Sequence, residues 1–321
     1  MARPMILLPD PIAEPGMRLL EAHGQVVLAD PATGDYDDAI LARAEGILLR
    51  LSKADRAFLD RTPQLKVIAR HGVGVDTVDV DEATRRGIAV VITPTANYNA
   101  VAEHALHLML CVSRKAVLAD NIVRRGDFSA RLDLMGFELR GKTLGLVGLG
   151  RVGVRLAEIC AAAFGMTVLV FDPYVDAQRY NGPAKLCASL DDLLPQADIL
   201  SLHAPATEAT RNMINAERIA AMKPGAVLVN TARGVLVDEP ALADALTRGH
   251  LAGAGLDVFV EEPPAADSPI ANAPNTVFSP HVASSTREAI NQMAEESAQG
   301  LVDVLEGKRP AGIYNPAIYD H

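Results

Sequence analysis

Between Thr143 and Asp172 the chain runs through strand, turn, helix and strand signals at a spacing that few folds accommodate. The apolar run Thr143–Val147 opens directly onto Gly148, Gly150 and Gly153, and an amphipathic helical pattern follows from Val154 to Phe164. A second β-branched run, Thr167–Phe171, ends on Asp172, about 20 residues past the last glycine. Each part has a physical job. Gly148 permits the tight turn from strand to helix, Gly150 lets the backbone approach a pyrophosphate, and Gly153 lets the helix lie against the sheet. The helix N-terminus, with Arg151 and Val152 beside the glycines, turns its amides and dipole toward the phosphates. Asp172 can accept hydrogen bonds from both ribose hydroxyls, and its charge would repel a 2′-phosphate, which predicts NAD rather than NADP. Either half of this signal has a plainer source, since glycine-rich turns are common and an Asp before Pro173 can simply start a turn. Their register with two strands and a helix is what makes a dinucleotide-binding fingerprint.

The rest of the chain agrees with such a fold. Its 321 residues suffice for about two domains. Apolar residues make up 49% with no Trp, so the core draws on Ala, Val, Leu and Ile, as buried parallel strands require. A net charge of −10 and the lack of a Lys/Arg stripe argue against a nucleic-acid partner. Cys111, Cys160 and Cys187 have neither metal nor redox spacing, which predicts a reducing, cytoplasmic compartment. No leader precedes Met5–Leu8 and no apolar run approaches the roughly 20 residues of a membrane span, so no membrane association is expected.

Strand signals recur at Met5–Leu8, Gln25–Leu28, Gly46–Leu49, Val67–Arg70 and Ala89–Ile92, with helical patterns between them. One or two long helices are predicted from Asn97 to Arg125. After Asp172 come strand runs at Ile199–His203, Ala226–Asn230, Gly253–Val258 and Val277–Ser279, then a final helix from Ser284 to Leu305 and a coil tail. Alternation of this kind predicts parallel βαβ units. The expected fold is α/β, with two doubly wound parallel-sheet domains. One is a flavodoxin-like substrate domain over residues 1–98 plus 286–321, discontinuous because the last helix and tail cannot extend the second sheet. The other is a Rossmann dinucleotide-binding domain over residues 99–285. A ligand is expected in the cleft between them, at the carboxyl ends of the strands.

Three polar residues follow strand signals in the second half: Arg233 in NTARGVLVDEPAL, Glu262 in GLDVFVEEPP and His281 in TVFSPH. Arg233 offers a fork of donors for a planar carboxylate and its neighbouring carbonyl. His281 can give or remove a proton near neutral pH. Glu262, paired to the other ring nitrogen, would orient His281 and raise its pKa. Taken singly, Arg233 could equally cap a helix, His281 could be a turn residue, and Glu261 could replace Glu262 as the partner.

The motifs RHGVGVDTVDV, TPTANYNAVAEHAL, GKTLGLVGLGRVG, SLHAPATEATRNMIN, MKPGAVLVNTARGVLVDEPAL, GLDVFVEEP and SPHVASST run in order over nearly the whole chain. In them the chain resembles the D-isomer-specific 2-hydroxyacid dehydrogenase family, which includes glyoxylate/hydroxypyruvate reductases and 3-phosphoglycerate dehydrogenases. The resemblance implies a catalytic constellation of Arg233, Glu262 and His281, with the Glu immediately before Pro selecting Glu262. It implies Asp257, Thr231 and Ala232 around the nicotinamide, next to Arg233 and His281. His203 and Pro205 would lie on the adenosine side, with Thr210 also toward the cofactor. Backbone amides of His71, Gly72, Val73 and Gly74 would hold the substrate carboxylate. The long helix near Asn97–Ala119 would serve a homodimer. No metal is implied. Formate dehydrogenases of this fold carry Gln where Glu262 stands, and phosphite dehydrogenases carry Lys where Val73 stands, so neither activity is expected. The chain stops about a helix past the cofactor domain, so a regulatory domain is not expected either.

Similar phosphoglycerate dehydrogenases place a substrate-facing Arg at the position of Arg50, so Arg50 and Lys53 could receive a second anionic group, or Arg50 could contact only the carboxylate or a loop. His71 could be a polar contact or merely packed. Glu103, His104 and His107 invite a metal reading, but their spacing on an alanine-rich helix fits a face in the dimer region better. The Glu261/Glu262 pair lacks the context of a two-carboxylate hydrolase. The expected activity is NAD-dependent interconversion of a small 2-keto acid and its 2-hydroxy acid. The alternative is an NAD(H)-sensing corepressor on the same scaffold, which the acidic chain without appended interaction segments disfavours.

Overall fold

Runs such as Met-Ile-Leu-Leu and Val-Ile-Ala-Arg carry no polar alternation, and they become strands buried on both faces. The computed structural model describes residues 3–320, the Asp133 side chain excepted, and all counts below refer to those residues. Met1, Ala2 and His321, at the ends of the expected discontinuous domain, lie outside them. The chain divides into two compact units, Met1–Asn97 with Ser285–His321, and Tyr98–Ser284.

The first unit holds a five-stranded sheet of β1 (Met5–Leu8), β2 (Gln25–Leu28), β3 (Ala44–Leu49), β4 (Val67–Arg70) and β5 (Ala89–Val91). All pairings are parallel and the order is β2-β1-β3-β4-β5, the flavodoxin-like winding. Helix Arg287–Leu305 covers one face, burying Ala298, Leu301 and Val302 against Ile6, Leu8, Leu48 and Val67. A leucine buried as fully as Leu301 contributes about 1.5–3 kcal/mol. The tail is more ordered than the coil expected of it. Asn315 Oδ1 accepts from the Val90 amide at 2.8 Å, and its Nδ2 donates to Ile88 O and Thr84 Oγ1, both at 2.9 Å. Together with an antiparallel bridge from Ile313 to Val91, this closes the exposed edge of β5.

The second unit holds a seven-stranded, all-parallel sheet: β6 (Thr143–Val147), β7 (Thr167–Phe171), β8 (Lys185–Leu186), β9 (Ile199–Leu202), β10 (Ala226–Asn230), β11 (Leu251–Leu256) and β12 (Thr276–Phe278). The order β12-β11-β10-β9-β6-β7-β8 reverses direction between β6 and β9, which is the Rossmann switch point. The helical pattern from Asn97 to Arg125 resolves into Tyr98–Ser113 and Ala116–Arg124, broken at Lys115 with φ 50°. Tyr98–Ser113 lies so close on the sheet that a Cβ at Gly255 would stand 2.7 Å from Leu108 Cβ, which explains the Gly/Ala-rich sequence of β11. No helix among the described residues is long and apolar enough to cross a membrane.

Candidate active site

The turn after β6 is built by its glycines. Gly148 takes φ 96°, and a Cβ there would come within 2.7 Å of His203 O at the end of β9. A Cβ at Gly153 would collide with Gly148 O, so the helix approaches the turn directly. Gly150 is the N-cap of helix Arg151–Phe164, provides no side-chain cap and faces open space. The first amides of that helix, including those of Arg151 and Val152, therefore have no side-chain acceptor at the cap, as an anion site requires.

Asp172 does two things at once. Its Oδ2 accepts from the Leu149 amide at 2.7 Å and its Oδ1 from the Tyr174 amide at 2.9 Å. The carboxylate thus starts the turn and braces the glycine loop, and each oxygen keeps a lone pair for a ribose hydroxyl. Beyond β9, Thr210 Oγ1 donates to Pro205 O at 2.7 Å and closes the following turn. His203 Nε2 pairs with Ser201 Oγ at 2.9 Å, and burial pushes its pKa down to about 4. Unfolded, it titrates near 6.5, so the unfolded chain takes up a proton that the folded chain refuses. Its contribution to stability is therefore intact above that value and lost as pH falls toward about 4, by ~3 kcal/mol. His203→Gln should flatten the fall in Tm between neutral and acid pH; parallel Tm curves for the two proteins would contradict this.

At the end of β10 the Asn230 side chain shapes the next turn, with Oδ1 accepting from the Ala232 amide at 3.0 Å and Nδ2 donating to Arg233 O at 2.8 Å. Arg233 is half-buried and Nη1 donates to Ala232 O at 2.7 Å. Thr231 Oγ1 is buried without a hydrogen-bond partner. Gly234 lies against the Phe259–Val260 backbone, leaving no room for a Cβ. That contact ties the Arg233 turn to the loop carrying Glu262.

Glu262 and His281 meet. His281 Nδ1 lies 2.9 Å from Glu262 Oε2, and Glu262 Oε1 accepts from the Phe259 amide at 3.1 Å. His281 adopts φ 53°, the left-handed region that a non-glycine residue occupies at a cost. Its amide donates to Asp257 O at 2.8 Å. Asp257 is fully buried. Its Oδ1 accepts from Ser279 Oγ at 2.6 Å and the Val282 amide at 2.9 Å, and its Oδ2 accepts from the Ala283 amide at 2.9 Å. Burial alone would raise the carboxyl pKa, but the bonds from His104, Ser279 and the two amides outweigh it and lower it. Arg233, Glu262 and His281 thus follow three neighbouring parallel strands, β10, β11 and β12, at one edge of the sheet. Phe259, Phe278 and Pro263 line a cavity of about 370 Å³ beside the His–Glu pair.

In the first unit, Arg50 and Lys53 are exposed after β3, and Val73 is exposed in the loop after β4. His71 is buried, donates its amide to Leu49 O at 2.9 Å, and leaves Nε2 without a partner. Burial, with repulsion from Arg50 and Arg70, lowers its pKa and so favours the neutral ring. Gly72 takes φ 144°. Arg70, which the sequence reading passed over, donates from Nε to Gly74 O at 2.9 Å and from Nη1 to Arg50 O at 3.2 Å, holding both loops from below. Also passed over were Asn230 and Ser279. His104 and His107 stand side by side, ring centroids 5.6 Å apart, but they differ in partners: His104 Nε2 reaches Ser279 Oγ at 2.8 Å, while His107 is exposed beside Cys111.

A glycine loop at the switch point of an open parallel sheet, with an acid–histidine pair at the edge of that sheet, defines a dinucleotide-binding α/β protein. Residues 106–283 match the D-isomer specific 2-hydroxyacid dehydrogenase, NAD binding domain family. The chain belongs to that family. It is 42% identical over 309 residues to D-3-phosphoglycerate dehydrogenase of Mycobacterium tuberculosis, covering 96% of this chain but 58% of that protein. It is 40% identical over 330 residues to glyoxylate reductase of Thermofilum pendens, covering 99% of this chain and 96% of that one. Among solved structures, the NADPH-dependent glyoxylate/hydroxypyruvate reductase of Sinorhizobium meliloti superposes with a TM-score of 0.87 at 31% identity, over 98% of this chain and 99% of that chain.

Proposed function

We propose that the chain is an NAD-dependent oxidoreductase that interconverts a small 2-keto acid and its D-2-hydroxy acid. The observation that carries this reading is the His281–Glu262 pair, held by a buried Asp257 at the sheet edge next to Arg233. The residues present fit the cofactor. Gly150 opens onto free space at a helix N-terminus without a side-chain cap, and Thr231 Oγ1 is a buried polar atom without a partner. Gly148, Gly150, Arg151, Val152 and Gly153 would hold the pyrophosphate, Asp172 the ribose, and His203, Pro205 and Thr210 the adenosine side. Thr231, Ala232 and Asp257 would flank the nicotinamide, Asp257 through the acceptor site left on Oδ2. When bound, NADH supplies the hydride to carbon 2 of the keto acid.

The side chains do the rest. Arg233 binds the carboxylate and polarises the adjacent carbonyl through its planar fork. Glu262 holds the Nδ1 proton of His281, so the ring presents Nε2 to the carbonyl oxygen and delivers the proton there in reduction. In oxidation His281 takes that proton back. From the first unit, the amides of Gly72, Val73 and Gly74 would bind a substrate carboxylate, the His71 amide being taken by Leu49 O, and Arg50 with Lys53 would favour a second anionic group. A homodimer also belongs to this reading: helix Ala116–Arg124 and the turn after it expose Leu118, Val123, Phe128, Leu132 and Met135, an apolar surface a second copy would cover.

Absorbance at 340 nm, with D- and L-2-hydroxy acids offered together with NAD or NADP, tests the reading. The expected result is NADH formation from a D-acid, with NADP at least about tenfold poorer because Asp172 would face its 2′-phosphate. Equal use of NADP, or preference for the L-acid, would count against it.

A further inference from the structure

His281 sits in a backbone conformation it would not choose, and the group that holds it there, Asp257, is itself held by a residue from a distant part of the chain. The Asp257 carboxylate is ionised and can only accept, so the single Ser279 hydroxyl proton must point to Oδ1 along the 2.6 Å contact. Ser279 Oγ then has only lone pairs left for its second neighbour. His104 Nε2, at 2.8 Å, must be the donor, which fixes that proton on Nε2. The same nitrogen stands 3.5 Å from Asp257 Oδ1, close enough to offset part of the buried charge. His104 comes from helix Tyr98–Ser113, which packs directly on β11 and β12, so the donor rests on a rigid element. The chain of bonds runs from His104 to Ser279 to the Asp257 carboxylate, which accepts from the amides of Val282 and Ala283, while the backbone carbonyl of the same residue accepts from the His281 amide.

We infer that His104 is a positioning residue for His281, acting through Ser279 and Asp257 to hold the segment from Ser279 to Ala283 in the conformation that sets the imidazole on Glu262. Its effect on turnover rests on the function proposed above; its effect on the loop does not. Losing the His104 bond frees the Ser279 hydroxyl to turn away, and Asp257 then keeps only part of its donor set while remaining buried.

The experiment compares wild type, His104→Ala and His104→Gln as full chains. Gln places an amide nitrogen near the position of Nε2 and can donate to Ser279. Hydrogen–deuterium exchange of the cofactor-free proteins reads the loop directly. In His104→Ala, the amides of His281–Ala283 should exchange about tenfold faster or more, while β11 and β12 stay protected. In His104→Gln they should exchange as in wild type. With NADH and a keto acid, His104→Ala should lose about ten- to a hundredfold in kcat with an unchanged Kd for NADH, and His104→Gln should recover most of it. Unchanged loop exchange in His104→Ala, uniform acceleration across residues 98–284, or a Gln variant no better than Ala would each overturn the inference. Should His104→Ala not fold, Ser279→Ala breaks the same chain and is expected to give the same local exchange; if its loop stays protected, the inference fails. A wild type without turnover but with the predicted exchange pattern would uphold the positioning role and remove the proposed activity.

Discussion

His281→Asn is expected to lower kcat by about 10²–10⁴-fold while NADH binds with little change. Asn tolerates left-handed backbone better than most residues, so the φ of 53° and the amide bond to Asp257 O can persist. What disappears is the ring nitrogen that carries the proton, together with the 2.9 Å contact to Glu262. His281→Ala should lose the same activity with somewhat lower stability, since Ala accepts that backbone region at a cost of about 1–2 kcal/mol. Stopped-flow or steady-state rates, set beside NADH titration by fluorescence, separate the two effects. Near-normal kcat in the Asn variant would remove His281 from proton transfer.

Gly234→Ala should be the most damaging single methyl group in the second unit. Its Cβ would fall inside the backbone of Phe259 and Val260, where no rotamer change can relieve it. Overpacking against backbone costs about 3 kcal/mol, which for a unit of this size is a drop in Tm of roughly 6–12 °C. The Phe259 amide that braces Glu262 must also move, so kcat should fall alongside stability. Gly150→Ala is the contrasting case. No atom lies within 4 Å of its Cβ, so Tm should hold while NADH binding weakens, because the methyl enters the space facing the helix amides. Equal Tm values for wild type and Gly234→Ala would refute the packing argument.

Much of this was legible before any coordinates. The glycine spacing, the β-branched runs and the terminal acid announce the second sheet because each obeys a local rule, and the sheet places them at its switch point. The features that escaped have no local rule. β8 is two residues long, too short to carry a period. Asn315 replaces a strand neighbour with one side chain, which leaves no periodic trace. The expected strand Gly253–Val258 begins earlier and stops at Leu256, because Asp257 turns its carboxylate under the His281 loop. His104 and His107 look like one helix face at i, i+3, yet that spacing leaves the two side chains some 60° apart around the helix axis. The offset leaves one half-buried on Ser279 and the other exposed. Arg70 and Asn230 act through backbone carbonyls and amides of loops, contacts that only a folded chain defines.

Reduction of a 2-keto acid with NADH through His281 is the activity proposed for this chain. Its most direct test is NADH consumption at 340 nm against glyoxylate, hydroxypyruvate, pyruvate, 3-phosphohydroxypyruvate, oxaloacetate and sulfopyruvate, with wild type and His281→Asn side by side. Wild type should turn over at least one of these acids, and the variant should lose nearly all of that activity. No turnover on any of them, with NADH binding intact, would contradict it and favour a protein that senses the dinucleotide without reducing a keto acid.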